Sequence, residues 1–253
     1  MKRLVLALLT AVLASAASAA GDPQNEWIKH YYQTQDVGHF DAFWQSVIEN
    51  RLLENKNAIA PTVGFASQVI HRHPELIKGR LDDPAAFPEK QRDAVLRLLW
   101  LSDTDQGRAI LQKAGVAELA AKAPPPIGKW EIKAGGDLDL CWGWYFATGD
   151  TAALDAIISA LDYAKYAGAL KRYPNSEHTE ADRAAAIKDA IFGAALWSLG
   201  ANGREDPLIA KHIRILFYSP ATPSARKVWL GVIFAKASPN VSQHELEENQ
   251  AGR

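Results

Sequence analysis

Cysteine is nearly missing from this sequence: Cys141 is the only one in 253 residues. One thiol cannot close an intramolecular disulfide, so no framework of bridges staples the chain. Cys141 sits between Leu140 and Trp142 in the densest apolar stretch. There a buried, inert thiol is the simplest reading, since a nucleophile needs a nearby base and access to solvent. No G-x-S-x-G frames a serine nucleophile, and Gly135-Gly136 alone does not make a phosphate loop. Charge of one sign is missing too: 28 basic and 29 acidic side chains give a net −1, which favours neither nucleic acid nor an anionic membrane.

What is present begins with a leader. Lys2 and Arg3 precede an apolar run from Leu4 to Leu13 and then Ala14-Ser15-Ala16-Ala17-Ser18-Ala19-Ala20. A charged start, a short apolar run and a small-residue site have the form of a secretory signal peptide over 1–20, cleaved after Ala19 or Ala20. The run is shorter than the ~20 residues that cross a bilayer. The expectation is an exported, periplasmic or secreted chain. Its remaining residues, 26 basic against 29 acidic, suffice for one large domain or two small ones.

The stretch around which the chain is organised is Asp137–Leu161. Asp137 or Asp139 can supply the oxygen that caps a first helix, Gly149 can end it with positive φ, and Asp150 can cap a second. In that second helix Leu154, Ile157, Ile158 and Leu161 share one face. Similar helical spacing runs through Phe40–Leu52, Thr62–His71, Glu89–Leu101 and Thr179–Leu199, and again after Asp206-Pro207 and Ser224. Ile187, Ile191, Ala194, Ala195 and Trp197 are expected inward on one of these helices, and Val228, Trp229, Val232 and Ile233 on the last. Pro124-Pro125-Pro126 with Gly128, Gly135 and Gly136 cannot continue a helix. Residues 124–136 therefore read as a linker or strap between helical parts 21–123 and 137–238, and 239–253 as a polar tail. Lys129–Lys133 alternates, but no β-sheet is expected. The predicted fold is all-α: stacked antiparallel helical hairpins, solenoid-like or an irregular helical array.

Three helix ends look alike, at Trp100, Tyr145 and Trp197, spaced 45 and 52 residues apart. Helical-pair repeats such as HEAT run ~40–47 residues. The combination of Asp139-Leu140, Trp142, Phe146-Ala147-Thr148-Gly149-Asp150 and Ala195-Leu196-Trp197-Ser198-Leu199 resembles an uncharacterised family of exported, all-helical (TPR/HEAT-like) bacterial proteins. The resemblance covers roughly 61–235, and its motifs are structural. It implies a fold rather than an activity.

Several constellations could carry chemistry. His71-Arg72-His73 is the most metal-like, but on a helix residues two apart point about 200° apart, and basic side chains suit a helix C-terminus. No metal or other cofactor is implied. Asp82-Asp83, Asp137/Asp139 and Asp150/Asp155 are paired acids whose simplest roles are caps and turns; Asp139 alone is left without one. Trp142, Trp144 and Trp197, with Asp139, are the candidate ligand-binding residues, since tryptophan offers both stacking and a polar edge. Gly143 and Gly193 should let neighbouring helices approach closely, at ~1 kcal/mol each relative to Ala. The expectation is an exported binding or scaffold protein with a protein or peptide partner in the cell envelope. The alternatives are a hydrolase using His71/His73 or the Asp137/Asp139 region, and a Trp-lined pocket for a small ligand or glycan.

Overall fold

The computed structural model of the protein describes residues 23–173 and 179–237. The signal-type segment 1–20, Pro174-Asn175 and the tail 239–253 lie outside the described residues. Within them the chain is all-α, an irregular array of twelve α-helices with short 3-10 turns and no strand. The chain divides into two compact units at Ile157/Ile158.

The first unit starts with α1 (Pro23–Thr34) and α2 (Phe40–Glu49). Phe40, Phe43, Trp44 and Val47 follow the expected spacing and are buried. Trp27, Tyr31 and Phe43 gather around Phe65, with edge-on or tilted rings 5.4–5.8 Å apart. Phe65 belongs to α3 (Ile59–Arg72), which is buried along most of its length. Pro61 fits within its first turn, where a missing N–H costs no helical bond. The chain then passes through α4 (Glu89–Ser102), α5 (Asp105–Lys113) and α6 (Ala117–Ala120). Thr104 caps α5 by accepting the Gly107 N–H at 3.0 Å, while Asp103 takes the left-handed position that ends α4.

Residues 124–136 lie against this unit. Ile127 and Ile132 are buried, and the Trp130 indole has the Arg97 guanidinium 5.9 Å from its ring centre. The segment leads into α7 (Gly135–Thr148) and α8 (Thr151–Ser159). Asp137, not Asp139, serves the helix start: its carboxylate accepts the N–H groups of Lys133 and Ala134 at 3.0 and 2.9 Å. Gly149 ends α7 at φ +67°, and Asp150 caps α8 by accepting the Ala152 N–H at 2.8 Å.

α3 and α7 form the axis of the unit. A methyl on Gly64 would lie 2.4 Å from the Leu140 carbonyl oxygen, and one on Gly143 would lie 2.2 Å from that of Pro61. The two backbones therefore touch, which only glycine permits. Residue 60 lies by 136, 64 by 140–144 and 72 by 147–148, so the helices run parallel. Arg72 donates to the Ala147 carbonyl at 3.1 Å and closes the C-terminal end of α7, where a cation also suits the helix dipole.

The second unit contains α9 (Ala169–Arg172), α10 (Glu180–Glu205), α11 (Pro207–Tyr218) and α12 (Ser224–Ala237). Thr179 and Asp182 form a capping box at the start of α10. Glycine often ends a helix, and the spacing Thr179–Leu199 would put such an end at Gly200 or Gly203, but neither ends α10. Both are buried within it, and the helix stops only at Asp206, before Pro207. Phe192 meets Trp229 edge-on at 4.8 Å, Phe217 stacks on Phe234, and Arg226 pairs with Asp162 at 2.9 Å.

Candidate functional site

Asp139 is the one carboxylate of the central helix without a structural role. It lies one turn beyond the helix start and shares a face with Trp142, Gly143 and Phe146 at i+3, i+4 and i+7. It is half-buried, and among the described residues no hydrogen bond or ion pair reaches it. Burial without a compensating donor disfavours the charged form, so its pKa rises from 3.8 to about 7. Such a carboxyl exchanges protons near neutrality, a property useful to an acid–base catalyst. A catalyst also needs a second group within reach.

None of the expected partners is brought to Asp139. His71 uses Nδ1 on the Ser102 carbonyl, 2.8 Å away. His73 Nδ1 lies 3.3 Å from Glu75. Both histidines stand at the C-terminal end of α3, where the Arg72 between them reaches the Thr148 carbonyl, whereas Asp139 is nine residues before Thr148 on α7, ~13 Å along the axis at 1.5 Å per residue. Asp137 is occupied with the loop before α7. Among the described residues no group of three or more His, Cys, Asp or Glu side chains could hold a metal ion. The hydrolase alternative thus has a titrating carboxyl but no assembled set.

The tryptophans separate as well. Trp142 is buried, stacked on Phe146 and edge-on to Tyr145. Trp144 is half-buried, with its backbone N–H side toward Gly64. Both belong to the first unit. Trp197 belongs to the second and is 49% exposed, so its expected inward placement is corrected. Cys141 is fully buried. Its thiol is pushed up to about 12 by desolvation and by the carboxylates of Asp137 and Asp139, which keeps it unreactive.

The surface with the most unusual chemistry lies on α10, α11 and α12. The expected inward set of α10 divides between two faces: Ile191 and Ala195 are buried, Ile187 and Trp197 are exposed. On α12, Trp229 packs on Phe192, and Leu230, Ile233 and Phe234 are buried. Val228 and Val232, one turn apart, face outward, Val228 at 62% exposure. Ile215 on α11 is 54% exposed. Apolar residues on every face fill the core first and leave the remainder on the surface. Residues 207–237 also hold five basic side chains and no acidic one, and Lys211 and Arg214 on α11 are exposed beside Ile215. That bias is visible in the sequence, but a net charge taken over the whole chain hides it. No family model, curated protein or solved structure matches this chain.

Proposed function

We propose that the protein is an exported, helical-repeat-like binding module of the cell envelope, and that the α11–α12 surface docks an acidic, amphipathic segment of an envelope protein. The observation that carries this reading is the coincidence of exposed Ile215, Val228 and Val232 with exposed Lys211 and Arg214 in a segment, 207–237, that has no acidic residue and whose Arg226 is already paired with Asp162. Exposed apolar groups rimmed by charge of one sign mark docking sites, and a complementary rim sets the choice of partner. A protein fits better than a lipid surface. Helices that lie in a membrane interface present Trp, Phe and Leu to it, whereas here Leu230 and Phe234 are buried, Trp229 packs on Phe192, and β-branched valines face outward. Export is supported by the leader-like residues 1–20.

The test is site-specific photocrosslinking in cells. A photoreactive residue at 228 should give one defined adduct with an acidic envelope protein, from a chain that begins near Gly21. The same residue at exposed position 90 should give none. Adducts at both positions, at neither, or only with anionic lipid would overturn the reading.

A further inference from the structure

We propose that a second copy of this chain pairs with the outer face of α10 in antiparallel orientation, about a two-fold axis at residue 192. This rests on α10 alone and does not depend on the α11–α12 docking surface. Glu180, Ile187, Ala190, Ala194, Trp197 and Arg204 follow one another at heptad spacing on one face, and each is exposed or half-buried. Lys188 and Asp189 lie off this line: Lys188 sits over the Tyr163 and Tyr166 rings, and Asp189 accepts the Leu170 N–H at 2.9 Å.

The seam is complementary to itself. An antiparallel pair centred on 192 sets Glu180 opposite Arg204, Ile187 opposite Trp197 and Ala190 opposite Ala194, each twice, as an isologous interface requires. Arg183 faces Ala201, so no like charges meet. Arg204 has no ion-pair partner among the described residues, and Glu180 reaches only Arg183, at 4.0 Å. Beside the small centre, Gly193 is exposed, and a methyl there would meet nothing within 4 Å. A mid-helix glycine weakens a helix by ~1 kcal/mol relative to Ala, and no described residue approaches it. Small residues between large anchors let a facing helix come close.

A membrane is the competing occupant, because α10 is the one helix among the described residues long and apolar enough to cross one. Its opposite face is already built into the unit through Ile191, Phe192, Ala195 and Leu199, and Lys188 and Asp189 would be costly in hydrocarbon. The seam is about 36 Å long at 1.5 Å per residue and about 10 Å wide. On the order of 400 Å² per partner, about half what a stable specific interface buries, is the size of a weak, transient complex, so association at tens of micromolar or weaker is expected.

The experiment is sedimentation equilibrium of the chain from Gly21 onward, at about 1 to 500 µM, with circular dichroism and Tm as folding controls. Wild type should dimerise. Trp197→Glu, at an exposed position, should weaken the dimer at least ten-fold without unfolding the chain. Glu180→Arg and Arg204→Glu should each weaken it several-fold, and the double variant should restore it. Each charge swap opposes the helix dipole and lowers Tm slightly, so only pairing across the two-fold gives rescue. A monomer throughout the range, failure of rescue, or a Trp197 blue shift on adding phosphatidylglycerol vesicles to wild type would overturn the proposal.

Discussion

Tyr31 packs its ring against those of Trp27 and Phe65 and buries its hydroxyl with no hydrogen-bond partner among the described residues. An orphaned buried hydroxyl costs ~1–3 kcal/mol. Tyr31→Phe should therefore stabilise the protein by about 1 kcal/mol in urea unfolding; a loss of stability would reveal a bond not present among the described residues. Asp139 gives a pH signature of known sign. Its folded pKa, about 7, lies above the unfolded value near 3.8, so its contribution is complete below pH 4 and is lost as pH rises through 7. Asp139→Asn should leave stability at pH 4 nearly unchanged. At pH 8 it should add about 2 kcal/mol, half the full shift at 1.36 kcal/mol per unit, because the carboxyl still touches solvent. Denaturation of both proteins across that range measures it. Cys141 should resist alkylation in the native state and react once unfolded. Asp139 was legible in the sequence by elimination, since Asp137, Gly149 and Asp150 account for the helix ends. Trp197 was not, because its spacing fits either face of a helix that is apolar on both.

Between elements, the parallel contact of α3 and α7 is the most demanding feature. Gly143→Ala sets a methyl 2.2 Å from the Pro61 carbonyl oxygen and 2.8 Å from the Phe65 nitrogen, and Gly64→Ala sets one 2.4 Å from the Leu140 oxygen. These are backbone atoms, which cannot turn aside. Each change should cost about 3 kcal/mol or more despite the better helix propensity of alanine. Gly193→Ala meets nothing within 4 Å and should instead add about 1 kcal/mol to the monomer. Thermal unfolding of the three variants under identical conditions reads the contrast. The sequence marks Gly143 and Gly193 alike as helical glycines. Only tertiary contacts separate a crossing point from an open surface, so one expectation held and the other did not. Caps were more legible than ends: Thr104, Asp150, Thr179 and Asp206 accept the bonds their side chains are built for, whereas Gly200 reads as a helix stop and lies inside a 26-residue helix.

For the whole molecule, composition indicated the all-α fold because apolar spacing, prolines and caps agree with one another along the chain. The surface proposed for docking was hidden because it depends on which face of α12 turns inward, and a helix apolar on both sides does not declare that. Once Phe234 and Leu230 fill the core, Val228 and Val232 remain outside, in a segment without a single acid. The most direct measurement is a titration of the chain from Gly21 onward with two helical peptides of identical apolar face, one rimmed with glutamate and one with lysine. The glutamate peptide should bind at micromolar affinity, weaken as salt is raised, and lose at least ten-fold with Val228→Glu. Equal binding of the two peptides, or binding unaffected by Val228→Glu, would contradict the assignment of the α11–α12 surface.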